Sequence, residues 1–243
     1  MQSTSQTGGH TTGLFKTQRS DSWWVGPLLT FLGFSAFVAY STWAAFQGEH
    51  YWFGSYLSPF YSPVLLVNPD VAGAAPLSHA WIGLWPEWWP SFLPASPALL
   101  ILIFPLSFRA TCYYYRKAYY RAFAVMPPAC AVSGIPQKNY KGETFLLLIQ
   151  NFHRFALYFA LAFIGILYYD AFLSFFRDGE FGVGVGSIVL LINATLLGLY
   201  TTSCHSFRHL IGGKLNSFSS HKGCPKVRHG IWSKVSCINT RHM

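Results

Sequence analysis

The chain has 243 residues, of which 52% are hydrophobic and only 10% are charged. Ordinary soluble domains carry about 25% charged residues, so this composition excludes that class and indicates an integral membrane protein. The net charge of +9 would suit a nucleic-acid-binding protein, but the basic residues lie in loops beside apolar segments. Because cytoplasmic loops of membrane proteins retain Lys and Arg, we expect no nucleic-acid partner.

Four apolar segments predict an all-α, polytopic transmembrane helical bundle over residues 23–211. Residues 1–22 are rich in Ser, Thr and Gly and lack the apolar core of a signal peptide, so a mobile cytoplasmic segment is expected there. Each apolar segment is long enough to cross the hydrocarbon layer as a helix. The four predicted spans are 25–47, 97–115, 144–169 and 181–207, and a basic cytoplasmic tail is expected at 212–243.

The distribution of basic residues predicts the orientation of the bundle. Of the 17 Lys and Arg residues, 15 lie in the N-terminal segment, at 109–143 or from Arg208 onward. The loop at 48–96 has none and is rich in Trp and Pro, which suits an external loop that is ordered at the membrane surface. Both termini are therefore predicted to be cytoplasmic.

Cysteine and histidine residues are predicted to gather near the cytoplasmic face. At helical spacing, Arg109, Cys112 and Arg116 share one face. His205 and His209 are four residues apart, which lets two imidazoles reach one metal ion. Thiolate and imidazole ligands suit zinc or an iron–sulfur cluster, and two cysteines with two histidines form the Rieske set. The other residues predicted at this depth are Cys130, His153 and Cys204.

Haem b is the rival cofactor. Two axial histidines must lie within the apolar lengths of facing helices, and the first two predicted spans contain no histidine. The supply of ligands therefore excludes two haems stacked across the bilayer, but it permits one haem held by His153 with His205 or His209. A cofactor-free structural anchor is a further alternative, because a cysteine in a membrane helix is often a small apolar filler.

Three arginines near the predicted helix ends have no acidic residue within the spans to pair with, and these are Arg109, Arg154 and Arg208. An arginine in the membrane interior costs about 2.5 kcal/mol or more, so each needs a partner such as a carbonyl, a lipid phosphate or a quinone oxygen. Cationic and phenolic donors stabilise charge on a reduced quinone. We predict a quinone pocket lined by Arg109, Tyr113, Arg116, His153 and Arg154.

Four stretches resemble the actinobacterial succinate dehydrogenase membrane anchor, the single-chain membrane subunit of a succinate:quinone oxidoreductase. Their sequences are RATCYYYRKAYYR at 109–121, PPACAV at 127–132, NFHR at 151–154 and SCHSFRH at 203–209. Anchors of this family usually have five spans and continue past the equivalent of 239–243 into the fifth. A bundle of four spans, shortened or missing its last helix, is therefore expected here.

The resemblance implies a subunit of a heterotrimer in the plasma membrane. A FAD-containing flavoprotein and an iron–sulfur subunit with further clusters would dock on the cytoplasmic face, with a higher oligomer of the complex as one option. Electrons from succinate would pass through the anchor to menaquinone. The resemblance also implies an iron–sulfur cluster in this anchor where relatives use haem b.

Within the Cys/His set, we predict a Rieske-type [2Fe–2S] cluster. Cys112 and Cys130 are expected on one iron, because Pro127 and Pro128 can turn the chain so that Cys130 returns toward Cys112. His205 and His209 are expected on the other iron, with Cys204 and His153 as reserve ligands. Two neutral imidazoles in place of thiolates raise the potential of such a cluster, which suits electron transfer to a quinone.

Overall fold

The computed structural model describes residues 13–136, 148–177, 179–213 and 224–242. The protein is mostly helical, which confirms the all-α membrane fold predicted from composition. By length and composition, three of the described helices could cross a membrane, and they span Val25–Gln47, Leu148–Leu173 and Val185–Thr202. The chain divides into two compact units, which are Met1–Tyr40 with Tyr113–Leu148 and Ser41–Cys112 with Ile149–Met243.

The first unit contains most of helix α1 and a short helical segment. Helix α1 (Val25–Gln47) has the bounds predicted for the first span, because no charge interrupts its apolar run and Pro27 lies in the first turn, where the backbone N–H has no helical partner. Helix α4 (Tyr113–Ala118) continues as a π-helical turn at Tyr119–Phe123. The ring of Phe34 packs against those of Tyr115 and Phe123, at centroid distances of 5.5 and 5.4 Å.

Residues that precede α1 are held against a loop of the same unit. Thr17 donates its hydroxyl to the carbonyl of Ala131 at 2.8 Å. The amide of Phe15 donates to the carbonyl of Ser133, whose own amide donates to the carbonyl of Lys16, each at 2.9 Å. Residues 1–12 of the segment predicted to be mobile lie outside the described residues.

The second unit contains the other helices of the bundle. Their bounds are α2 (Pro97–Ile101), α3 (Ile103–Ala110), α5 (His153–Leu173), α6 (Val185–Thr202), α7 (His205–Gly212) and α8 (Cys224–Asn239). Phe104 of α3 packs on Phe159 of α5 at a centroid distance of 4.8 Å. A core of Phe108, Ala156, Leu157, Ala160 and Cys204 joins α3, α5 and the start of α7.

The loop at 48–96 forms a small layer, whose apolar core of Tyr51, Leu57, Val64 and Val67 also includes Ala45 and Ala98 from the flanking helices. Strands β1 (Trp52–Phe53) and β2 (Tyr56–Leu57) pair antiparallel, and β3 (Leu66–Val67) and β4 (Gly83–Leu84) pair parallel. A third pair, β5 (Phe176–Arg177) and β6 (Glu180–Phe181), closes the turn between α5 and α6. The loop at 48–96 is therefore ordered, as the sequence predicted.

The predicted second span is divided into α2 and α3. Leu102 separates them, and although its amide still bonds the carbonyl of Ala98, neither helix is long enough alone to count as a span. The described residues thus hold three candidate spans. The count of four spans and the cytoplasmic position of both termini remain predictions.

The predicted fourth span does not continue through residue 207 as one helix. Helix α6 ends at Thr202, and Cys204 has an extended backbone, with φ −62° and ψ 144°, before α7 begins. The hydroxyls of Thr202 and Ser203 donate to the carbonyls of Gly198 and Tyr200, a bonding mode that weakens helices. The predicted end of the fourth span at residue 207 is therefore wrong, because a separate helix, α7, begins at His205.

Candidate functional site

Two cysteines and two histidines are buried close to one another in the second unit. Cys112 follows α3, His153 begins α5, Cys204 precedes α7, and His242 follows α8. Their exposed fractions are only 4%, 5%, 1% and 7%. Four elements that are distant in sequence therefore contribute one metal-binding type of side chain each.

His153 lies between a hydroxyl and a thiol. Its Nε2 is 2.9 Å from the Sγ of Cys204. Its Nδ1 is 3.1 Å from the Oγ1 of Thr111. The imidazole stacks on the ring of Phe108 at 4.6 Å and an interplanar angle of 16°. The ring is thus fixed in both position and plane.

His242 has the same surroundings at the other side of the cluster. Its Nε2 is 3.9 Å from the Sγ of Cys112, and its Nδ1 is 2.6 Å from the Oγ of Ser203. The imidazole stacks on Tyr200 at 4.5 Å and 17°. The contacts cross between the two pairs. Thr111 precedes Cys112 in the chain but contacts His153, which lies beside Cys204. Ser203 precedes Cys204 but contacts His242, which lies beside Cys112.

The two hydroxyls determine which nitrogen of each histidine carries the proton. Thr111 donates its single hydroxyl proton to the carbonyl of Ser107, and Ser203 donates its proton to the carbonyl of Tyr200, each at 2.7 Å. Each oxygen can therefore only accept from the neighbouring Nδ1–H. The Nε2 lone pairs of His153 and His242 then face sulfur, which is the arrangement that a second shell imposes on metal-binding histidines.

The surroundings of Cys204 and His242 favour the neutral forms of both side chains. Burial raises the pKa of the Cys204 thiol, and nearby Cys112 raises it further. Burial, followed by the nearby Arg109 cation, lowers the pKa of His242. The guanidinium of Arg109 lies over the ring of Tyr200 at 4.8 Å. A neutral imidazole is the form that binds metals, whereas Cys204 would need a metal to become a thiolate.

The side chains form two His–Cys pairs and do not converge on a single point. Among the described residues, no three His, Cys, Asp or Glu side chains are arranged to hold one metal ion. A mononuclear zinc site of the tetrahedral type therefore does not fit this cluster. A two-iron cluster has a different requirement, since each iron takes only two protein ligands.

The other predicted ligands lie elsewhere. His205 and His209 are both on α7 and exposed, and their Nε2 atoms are 3.0 Å apart. Cys130 is exposed in the first unit, where its carbonyl accepts from Arg19 at 2.9 Å. Cys112 belongs to the second unit and Cys130 to the first. Contacts within one unit therefore do not test the expected pairing of these two cysteines.

The residues predicted to bind quinone are divided between the units. In the second unit, Arg109 is half-buried beside the Cys/His cluster, His153 is part of the cluster, and Arg154 is exposed. In the first unit, Tyr113 is exposed and the Arg116 guanidinium lies 4.9 Å from the centre of its ring. Sequence reasoning missed His242, Thr111 and Ser203. One feature of the sequence could have pointed to the two hydroxyls, because each buried cysteine directly follows one of them.

The family model of the actinobacterial succinate dehydrogenase subunit SdhC matches residues 25–243. A solved structure described as the Mycobacterium smegmatis Sdh1 complex in the apo form contains a chain similar to this one, with 46% sequence identity and a TM-score of 0.80. The match covers 93% of this chain and 82% of that chain. A comparison with curated proteins gives no match.

Proposed function

The chain belongs to the family of the actinobacterial succinate dehydrogenase subunit SdhC, and from this premise we propose how it works in electron transfer. As a member of that family it is the membrane-anchor subunit of an oxidoreductase. We propose that it docks a flavoprotein and an iron–sulfur subunit on the cytoplasmic side of the plasma membrane. Electrons from succinate oxidation then pass through this chain to menaquinone.

The proposed carrier of these electrons is a [2Fe–2S] cluster held by Cys112, Cys204, His153 and His242. This set keeps Cys112 from the sequence-based prediction, takes in both reserve residues and adds His242. It replaces Cys130, His205 and His209. The carrying observation is the crossed arrangement, in which each buried histidine has its Nδ1 on a hydroxyl and its Nε2 toward a cysteine.

The donor set fits the Rieske type. That type uses two cysteines and two histidines, and here Cys112, Cys204, His153 and His242 would hold the cluster. When bound, such a cluster supplies a one-electron carrier with a potential raised by its neutral imidazole ligands. The chain's own contribution is to orient both imidazoles through Thr111 and Ser203 and to exclude water by burial.

The single-haem alternative is less well supported. It requires His153 together with His205 or His209 as axial ligands. His153 is buried with both ring nitrogens engaged, whereas the other two histidines are exposed on α7. A structural anchor without a cofactor would leave four buried metal-binding side chains without a role.

The quinone site is proposed beside this cluster, with Arg109 as its nearest cation. Arg109 lies over Tyr200, which in turn stacks on His242. A cation there would stabilise negative charge on the cluster or on a reduced quinone oxygen. His153 moves from the quinone residues to the cluster ligands, because neither of its ring nitrogens remains to bind a quinone. Tyr113, Arg116 and Arg154 stay predictions.

The cluster proposal is tested by EPR on the dithionite-reduced complex. We expect a rhombic [2Fe–2S] signal of the His-ligated type, which is lost on Cys204→Ser and on His242→Ala. Cys130→Ser and His205→Ala serve as matched controls and should keep the signal. Loss of the signal in either control, or its survival in Cys204→Ser, would remove this ligand set. A haem Soret band in place of the signal would restore the haem reading.

A further inference from the structure

His205 and His209 form an exposed pair that the proposed cluster does not use. They lie on the first two turns of α7, and their rings are 4.6 Å apart at an interplanar angle of 78°. Their Nε2 atoms approach to 3.0 Å. Two neutral imidazoles can share one proton at this distance, so the contact needs no metal to exist. A metal ion in place of the shared proton would contact both nitrogens at once.

The separation of the two nitrogens matches the bite of a metal chelate. Two metal–nitrogen bonds of about 2.05 Å that span this 3.0 Å separation enclose an angle of about 94°. That angle is close to the right angle between neighbouring ligands in tetragonal and octahedral complexes. Histidines at i and i+4 on a helix are also the spacing that zinc enzymes use. The helix therefore holds both ligands in position before any ion binds.

Arg208, a cation on the same helix, has its own partners on α8. The guanidinium of Arg208 lies over the ring of Trp232 at 5.0 Å and donates to the Oδ1 of Asn239 at 3.3 Å, and both partners belong to α8. The charge nevertheless reaches His205, because burial, His209 and Arg208 together lower the pKa of this imidazole.

We propose that His205 and His209 bind one divalent transition-metal ion, with Cu²⁺ preferred over Zn²⁺ at the same site. The preference follows from the near-right angle and from the general order of affinities, in which Cu²⁺ exceeds Zn²⁺. No third His, Cys, Asp or Glu among the described residues joins the pair, so water completes the coordination. This site is separate from the buried cluster and does not depend on the proposed electron carrier.

The test uses the whole oxidised complex, purified without a polyhistidine tag and treated with EDTA. One equivalent of Cu²⁺ per chain is added, and the EPR spectrum is compared before and after a second EDTA treatment. We expect a Cu²⁺ signal with nitrogen splitting from two imidazoles that one equivalent of added Zn²⁺ does not diminish. His205→Ala and His209→Ala should each abolish the two-nitrogen splitting.

The matched control is His229→Ala, which removes an exposed histidine from α8 and should leave the signal intact. Gel filtration confirms that each variant still assembles, so loss of binding is not loss of the complex. Unchanged splitting in His205→Ala, loss of splitting in His229→Ala, or no Cu²⁺ bound by the assembled wild-type complex would each overturn the proposal.

Discussion

At its first residue, α5 places His153 between a hydroxyl and a thiol, whereas near its end it places Asp170 against the hydroxyl of Ser62. The Nε2 of His79 lies 3.9 Å from the other oxygen of Asp170. Both ends thus bury a titratable group on partners from other elements. The partners differ. His153 contacts a cysteine thiol, which is a soft metal ligand, whereas Asp170 contacts a hydroxyl and an imidazole.

This difference separates the proposed electron-transfer end of α5 from a structural end. His153 and Asp170 are 17 positions apart, which is about 25 Å along a helix and close to the thickness of the hydrocarbon layer. At the Asp170 end, the contacts join α5 to the loop at 48–96, where His79 also packs on the ring of Trp52 at 4.6 Å. We interpret Asp170 as the residue that fastens this loop to the bundle.

The largest expected effect concerns the side of the membrane that each end faces. In a chain whose Cys130, Cys224 and Cys237 are serine, Ser78→Cys should react fully with a membrane-impermeant maleimide added to intact cells. In a second variant, Cys130 and Cys237 are serine and Cys224 is retained as the only exposed cysteine. This variant should be labelled only after the membrane is opened. The reason is that Lys and Arg avoid the loop containing Ser78 and are frequent around Cys224. Labelling of Cys224 in intact cells would reverse the orientation and place the Cys/His end outside.

The next effect tests whether the hydroxyls of Thr111 and Ser203 support the proposed electron-transfer end. Ser203→Ala and Thr111→Val each remove a hydroxyl that orients an imidazole, and loss of such an outer-shell partner lowers metal affinity by about 10- to 100-fold. We expect less cluster per chain, measured as iron and acid-labile sulfide and as EPR intensity. Ser203→Thr keeps the hydroxyl and is the control. Full cluster content in both hydroxyl-free variants would show that the Nδ1 contacts do not support the site.

Much of this arrangement could be predicted from the sequence, and its limits have physical causes. The bounds of α1 follow from an uninterrupted apolar run, and the i, i+4 spacing predicted the approach of His205 to His209. Spacing does not predict burial, because the chain changes direction at Cys204 and leaves that pair exposed. His242 was missed because only the tertiary fold brings it back to Cys112, 130 positions earlier in the chain.

At the structural end, we expect a loss of stability without a loss of the cofactor. Asp170→Ala leaves the Ser62 hydroxyl and His79 without their acceptor, and an unsatisfied buried group costs about 1–3 kcal/mol. The thermal unfolding midpoint of the complex should fall, while the EPR signal of the cluster keeps its shape. Asp170→Asn retains an acceptor for Ser62 and should fall less. An altered EPR signal in Asp170→Ala would mean that the two ends of α5 are coupled.

The smallest expected effect concerns the cation beside the cluster. Arg109 lies over Tyr200 and acts electrostatically on His242, so its charge should favour the reduced, more negative state of the cluster. Arg109→Leu should therefore lower the midpoint potential by some tens of millivolts, where about 59 mV corresponds to a tenfold change for one electron. Arg109→Lys keeps the charge and should retain most of the wild-type potential. Redox titration followed by EPR measures both variants. An unchanged potential in Arg109→Leu would show that the charge does not act on the cluster. If that variant also reduced quinone more slowly, Arg109 would act by contact with the quinone.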